Sequence, residues 1–280
     1  CATIVSGGSG GLGLLTARWQ AERGARAVFV ASRSGKLVKH GTDAQLLLES
    51  GAEVHAVRCD AGSAADVRRL VSEARMDALQ LRSIWHASGV LADSTLAQQN
   101  AAGLAHVMGP KAGGARLMQR ATASSALRKC AMFSSAAALL GGAGQANYSA
   151  ANSFLDAMAS WRRSAAQSGV SVQWGPWAGV GMASGEAVSA RMKAGGFGLI
   201  EAAAGLAVLS SAVQAHNPAV VTMLPVAWRK LLGNGTVPSL LCDFAPVADA
   251  KLDMGTTPAA GRAAVAPTGM PQEAILEMVR

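Results

Sequence analysis

Short runs of β-branched and other apolar residues recur along the first 224 residues, each followed by a longer stretch whose apolar positions return every three or four residues. The short runs at 2–5, 27–30, 53–58, 83–87, 130–133, 170–174 and 219–223 are predicted strands. The stretches at 12–23, 64–71, 99–120, 145–163 and 201–215 are predicted helices. Strand–helix alternation at this spacing predicts one α/β domain over residues 1–232, built on a doubly wound, mostly parallel sheet. From 233 to 268, Gly, Pro, Ala and Asp occur without period, which reads as a C-terminal linker. An amphipathic pattern carrying Ile275, Leu276 and Val279 then occupies the end of the chain.

The turn between the first strand and the first helix reads Ser6-Gly7-Gly8-Ser9-Gly10-Gly11-Leu12-Gly13. In that setting glycines leave the backbone bare, so amide N–H groups can approach a pyrophosphate at a helix N-terminus. A dinucleotide site is therefore expected on Ser6, Gly7, Ser9, Gly10, Gly11, Leu12 and Gly13. The second strand ends in Ser32-Arg33, without the carboxylate that would hold a ribose 2′-hydroxyl. Arg33 there suits a 2′-phosphate, which points to NADPH.

Tyr148 is the chain's single tyrosine, in the segment Gly144-Gln145-Ala146-Asn147-Tyr148. Hydride reduction of a ketone leaves a developing alkoxide, which needs a placed proton donor. A phenol titrates near ~10, so a neighbouring cation is required for work near neutral pH. A second hydrogen-bond donor should hold the substrate oxygen, and Ser135 precedes Tyr148 by thirteen positions, just beyond the fifth predicted strand.

The glycine spacing and the serine–tyrosine pair resemble the short-chain dehydrogenase/reductase superfamily. Most of its members carry a lysine four residues after the tyrosine; here that position is Asn152. The exchange, with the lysine on the preceding helix at Lys111, resembles the ketoreductase domains of modular polyketide synthases. The likeness covers residues 1–232. It includes His86 to Asp93, Phe133 to Asp156 and Trp174-Gly175-Pro176-Trp177. What it implies is a Rossmann-type fold with Tyr148 as acid, Ser135 as second donor, Lys111 as electrostatic tuner and Asn152 in a proton relay. Asp60 with Ala61, and Ala87-Ser88-Gly89, would line the cofactor. The stretch from Trp174 to Met182, with Trp174, Pro176 and Trp177 in it, would begin a lid over nicotinamide and substrate.

The resemblance also implies a reaction and its partners. A 3-oxoacyl thioester on an acyl carrier protein would be reduced by NADPH during polyketide elongation. Asp93 after the fourth strand, with Leu140 rather than tryptophan eight positions before Tyr148, is the pattern of the group giving the D-hydroxyl. Two positions depart from that pattern: Ala92 replaces the first aspartate of Leu-Asp-Asp, and Ala143 stands where proline is common. A type I fatty acid synthase ketoreductase shares these motifs and is the alternative, beside a non-reducing scaffold.

Composition narrows the field further. Half of the 280 residues are hydrophobic, enough for a sizeable core, yet no apolar run approaches a membrane span. The net charge of +8 is scattered, which argues against a nucleic-acid arm. The four cysteines lie far apart without metal-ligand spacing, so no metal is expected. A reducing, cytoplasmic setting is expected. The start at Cys1, inside a strand, reads as a cut from a longer synthase. Its neighbouring domains, the family's structural subdomain included, are expected outside this piece, and residues 269–280 as the start of a carrier domain.

Overall fold

The computed structural model describes residues 1–37, 41–76, 79–181, 185–233 and 237–245. Seven strands form one all-parallel sheet: β1 (Ala2–Ser6), β2 (Ala27–Ser32), β3 (Glu53–Arg58), β4 (Leu81–His86), β5 (Lys129–Ser135), β6 (Val170–Trp174) and β7 (Val220–Met223). Their order is β3-β2-β1-β4-β5-β6-β7. Winding therefore reverses between β1 and β4, the switch point where the carboxyl ends of strands open a crevice. This is the Rossmann-type doubly wound sheet, and all seven predicted strands are in it.

Both sheet faces are covered, which is why the strands read as near-continuous apolar runs. Val5, Val28, Val30 and Trp85 face α1 (Gly11–Glu22) and α2 (Thr42–Glu49), and the same cluster continues through Val172 to α9 (Ala202–Ala212). Ile4, Phe29 and Ile84 point to the other face, against α3 (Ala64–Met76) and α5 (Gly114–Ala121). There Met132 packs on Leu155 and Ala159 of α7 (Ala146–Ser164). Some buried polar groups pair within the core; Ser83, for example, donates to Thr3 Oγ1 at 2.7 Å.

Several elements depart from the sequence pattern. α2 was not expected: only Ala44 and Leu47 are buried while Leu46 and Leu48 are exposed, so its apolar period is weak. Also unexpected are the short α6 (Ala137–Leu140), α8 (Glu186–Ala194) and α10 (Trp228–Leu232). The single helix expected at 99–120 is interrupted. A 3₁₀ turn (Leu96–Gln98) precedes α4 (Ala101–Met108), whose N-cap Asn100 accepts from Gly103 N at 2.8 Å. A π turn (Gly109–Gly113) then leads into α5. Pro110 has no N–H for the regular ladder, and the flanking glycines allow the wider turn.

The linker expectation also changes at its start. Residues Ser239–Phe244 form a 3₁₀ turn, and Phe244 stacks on Trp228 with centroids 4.3 Å apart, so folded structure passes residue 232. The remainder of the expected linker and the carrier helix at 269–280 lie outside the described residues. Among the described residues no helix is long and apolar enough to cross a membrane.

Candidate active site

Two cavities adjoin at the switch point, sharing Leu12, Ala87, Gly89 and Gly181 in their walls. The first, about 440 Å³, lies on the loop after β1. Gly7, Ser9, Gly10, Gly11, Leu12, Gly13, Ser32, Arg33, Asp60, Ala61, Ala87, Ser88 and Gly89 all line it. The loop is tight for a visible reason. Gly7 has φ +72°, and a Cβ there would fall 2.7 Å from Ser88 N. A Cβ on Gly13 would collide with the Gly7 carbonyl.

The expected Ser6 contact lies elsewhere. Ser6 is buried beneath the loop and does not line the cavity; its Oγ is 2.6 Å from His86 Nδ1. His86 Nε2 reaches the Lys111 carbonyl at 2.8 Å, tying β4 to the π turn. Burial lowers the His86 pKa from 6.5 to about 4; the bond to the Lys111 carbonyl opposes this and the Lys111 charge adds to it. At the far end Asp60 Oδ1 accepts from Gly62 N at 2.9 Å, so this carboxylate also closes a turn. Arg33 is exposed at the rim.

The second cavity, about 320 Å³, gathers side chains that sequence places far apart. Ser135 ends β5, Tyr148 lies on the first turn of α7, and Lys111 comes from the π turn. All three line it, together with Asp93, Trp174, Pro176 and Trp177. Lys111 is 3% exposed, and its Nζ donates to the Phe133 carbonyl at 2.8 Å. The same Nζ lies 5.3 Å from the centre of the Tyr148 ring. Burial lowers the Lys111 pKa from 10.5 to about 7, against a smaller upward pull from Asp156. Burial pushes the Tyr148 phenol above its ordinary value; Asn152 and Ser135 pull it down and Asp93 adds to the rise. At neutral pH this pairing keeps a protonated phenol beside an amine that titrates near neutrality.

Asn152 sits one turn after Tyr148, is fully buried, and does not line the cavity. Its Nδ2 donates to the Tyr148 carbonyl at 2.8 Å, while its Oδ1 has no protein partner among the described residues. Leu140, at the end of α6, is also outside the lining. Asp93 accepts from Gln145 Nε2 at 3.0 Å, and Asn147 Nδ2 donates to the Ala92 carbonyl at 2.8 Å. These bonds fasten the loop after β4 to the start of α7.

The lid expectation divides. Trp174 and Trp177 are 5% and 3% exposed, packed edge to face with centroids 4.9 Å apart, and belong to the core. The outer wall comes from Val180 and Gly181, within the expected lid stretch, and from the α8 residues Val188, Arg191 and Met192. Sequence reasoning missed the α8 residues. No residue of that helix is buried, so no period marks it.

The chain is similar to known proteins in sequence and fold. The KR domain family model matches residues 1–179. Polyketide synthase GfsA of Streptomyces halstedii is 36% identical across 99% of this chain and 4% of that protein. Pikromycin polyketide synthase component PikAIII of Streptomyces venezuelae is 33% identical across 95% of this chain and 17% of that protein. A solved structure of A-type ketoreductases from a modular polyketide synthase aligns with TM-score 0.77 at 31% identity, over 82% of this chain and 49% of that one. PlmKR1, the ketoreductase from the first module of phoslactomycin biosynthesis in Streptomyces sp. HK803, gives 0.76 at 32%, over 88% and 56%. The chain thus spans a small fraction of these curated synthases and about half of the solved domains.

Proposed function

Because the chain belongs to the ketoreductase domains of modular polyketide synthases, within the short-chain dehydrogenase/reductase superfamily, we propose that it reduces a carrier-bound 3-oxoacyl thioester with NADPH to the D-3-hydroxyacyl thioester. The observation that carries this reading is the convergence of Ser135, Tyr148 and Lys111 on a cavity continuous with the glycine cradle. The cradle fits a nicotinamide dinucleotide: Gly7 and Gly13 leave backbone bare where any side chain would intrude. Arg33 would hold a 2′-phosphate, and Ser9 to Leu12 the pyrophosphate.

When bound, the nicotinamide supplies a hydride to the ketone carbon. As the C–H bond forms, the carbonyl π electrons move to oxygen, and that oxygen takes the Tyr148 phenolic proton. Ser135 donates to the same oxygen and orients it. Lys111, as ammonium, stabilises the phenolate left behind. Asn152 relays a proton back to it. An acyl carrier protein would deliver the thioester past α8, whose Arg191 and Met192 stand at the rim. Asp93, held by Gln145, would set which ketone face meets the hydride.

The test is turnover of NADPH with a carrier-bound β-keto thioester, and with a simple ketone such as a decalone. Reduction lost in Tyr148→Phe with cofactor binding retained, and a D-configured product by chiral chromatography, is expected. Lys111→Ala with wild-type kcat at neutral pH would overturn the lysine assignment. A predominantly L-configured alcohol would overturn the stereochemical one.

A further inference from the structure

Beside the wall that α8 gives to the catalytic cavity, the segment after α8 is laced to the segment before α10. Gly198 N donates to the Pro225 carbonyl and Ala227 N to the Gly196 carbonyl, each at 2.8 Å. Phe197 pairs antiparallel with Val226 between them. Gly196 has φ +90°, and a Cβ there would lie 3.1 Å from Leu231 N, so this close approach requires glycine. Lys230 Nζ then reaches from α10 to the Lys193 carbonyl in the last turn of α8, at 3.0 Å. The two helices are thereby fixed to each other.

Together they carry four cations, Arg191 and Lys193 on α8 and Arg229 and Lys230 on α10, all exposed. Lys230 has a structural duty, since an ammonium at a helix C-terminus satisfies a free carbonyl. Among the described residues none of the four forms an ion pair. The carboxylates between residues 185 and 245 are Glu186, Glu201 and Asp243, and none of them is paired with these cations. Elsewhere Arg18 is held by Glu22 and Asp43, and Arg69 by Asp66 and Glu73. The charge on α8 and α10 is not neutralised in that way. Such a surface attracts anionic groups over about one Debye length, roughly 8–10 Å at ordinary salt.

We propose that the α8–α10 surface, through Arg191, Lys193, Arg229 and Lys230, is the docking platform for an acyl carrier domain with an acidic face. The inference rests on the reading of the chain as a reductase of carrier-bound thioesters, and it names the surface on which the carrier sits. Two observations favour a protein over a small anion. Of the four cations, Arg191 alone lines the catalytic cavity. The other three lie outside it on two different helices, a spread that matches a protein face seated across the rim. Arg191 and Met192 also join the platform to the cavity wall, so a carrier seated there holds its arm at the mouth.

The experiment compares kcat/KM for one acyl group in two forms, with the full chain and NADPH. The 3-oxobutanoyl thioester is presented on an acyl carrier protein of net negative charge, and on N-acetylcysteamine. The substitutions are at Lys193 and Arg229, whose side chains line neither cavity. Lys193→Glu combined with Arg229→Glu should lower kcat/KM on the carrier-bound form by about 10-fold at low salt, chiefly through KM. The N-acetylcysteamine form should change by no more than about two-fold, because it has no acidic face to dock. Raising the ionic strength should close the gap between variant and unmodified chain, since screening weakens the field in both. Lys193→Gln combined with Arg229→Gln removes the charge without reversing it and should give a smaller loss in the same direction.

Unchanged kinetics on the carrier-bound form would overturn the proposal. So would an equal loss on both thioesters, which marks damage to the fold or the cavity, or a loss that salt does not relieve. If neither double variant keeps the melting temperature of the unmodified chain within a few degrees, the cations are structural and the proposal is again overturned. The two readings separate on the unmodified chain. If it reduces both thioesters while the variants are indistinguishable from it, the reductase reading stands and the platform falls. If it reduces neither, the reductase reading falls and takes the platform with it.

Discussion

The two adjoining cavities are built by opposite means. The cofactor cavity is backbone: bare glycines, a strand end and a helix start, with its candidate charge contacts, Arg33 and Asp60, left exposed. The catalytic cavity is side chain: a buried lysine, a buried phenol and a serine, each delivered by a different element. The first is limited by space and the second by charge. A methyl group should harm the one where a change of proton affinity harms the other.

The largest effect is expected on the charged side. Tyr148→Phe removes the proton donor and leaves the ring, so kcat should drop by about 10²–10⁴-fold. NADPH affinity, measured by fluorescence titration, should stay within a few-fold of wild type. Strong loss of cofactor binding in this variant would erase the division between the two cavities.

On the backbone side the matching change is Gly7→Ala. The new Cβ meets the main chain of Ala87 and Ser88, which cannot rotate away, and φ +72° is strained for alanine. A cost of about 2–4 kcal/mol is expected. It should appear as a lower melting temperature and a weakened NADPH Kd, whereas the pH profile of any residual reduction is unchanged.

The cofactor cavity was the more legible of the two in the sequence. Its glycines fall within one seven-residue stretch, and Gly7, Gly10, Gly11 and Gly13 line the cavity. All seven strands were legible as well, the central ones because burial on both faces leaves apolar runs such as Val28-Phe29-Val30. The catalytic cavity was legible only by likeness. Nothing in the period around Lys111 announces a π turn, and a five-residue widening at Pro110 is a tertiary event. Ser6 shows the limit of motif reading, since its hydroxyl serves His86 rather than a ligand-facing wall. The α8 wall was invisible because an exposed helix has no core face to leave a pattern.

His86 bridges the Ser6 hydroxyl at the end of β1 and the Lys111 carbonyl of the π turn. Its unfolded form takes a proton near 6.5, whereas the buried ring resists until about 4. Between these values the unfolded chain binds more protons, so folding stability should rise with pH from about 4 to 6.5. The gap corresponds to about 3 kcal/mol. Melting curves across this window should show the slope, and His86→Gln should flatten it. A slope unchanged in that variant would assign the acid sensitivity to other groups.

Arg33→Asp tests whether the exposed positive charge at the rim decides between cofactors. Loss of a charged hydrogen bond to a 2′-phosphate costs about 1.5–3 kcal/mol. The NADPH-over-NADH ratio of kcat/KM should therefore drop by roughly 10- to 100-fold. The reverse charge should leave kcat with saturating cofactor near wild type, because Arg33 does not line the catalytic cavity. Equal use of both cofactors by the unmodified chain would remove Arg33 from the cofactor reading.

The smallest effect is expected where the two cavities hand the substrate over. Asp93 lines the catalytic cavity and is bonded to Gln145, three residues before Tyr148. Its carboxylate holds the loop after β4 against the start of α7, and Asn147 on Ala92 makes a second, independent tie. Removing one of two ties should loosen the wall without opening it. The charge also bears on Tyr148, since Asp93 contributes to the raised phenol pKa. Asp93→Asn keeps an acceptor for Gln145 and removes that charge, so Tyr148 should titrate lower while the product configuration stays that of the unmodified chain. Asp93→Ala removes both, and the share of L-configured alcohol should rise by a few-fold, a change of about 1 kcal/mol between the two faces. Chiral chromatography of both variants on the same thioester separates the two roles. If Asn and Ala variants give the same product ratio as wild type, stereocontrol lies with the α8 wall, and Val188, Arg191 and Met192 become the residues to exchange.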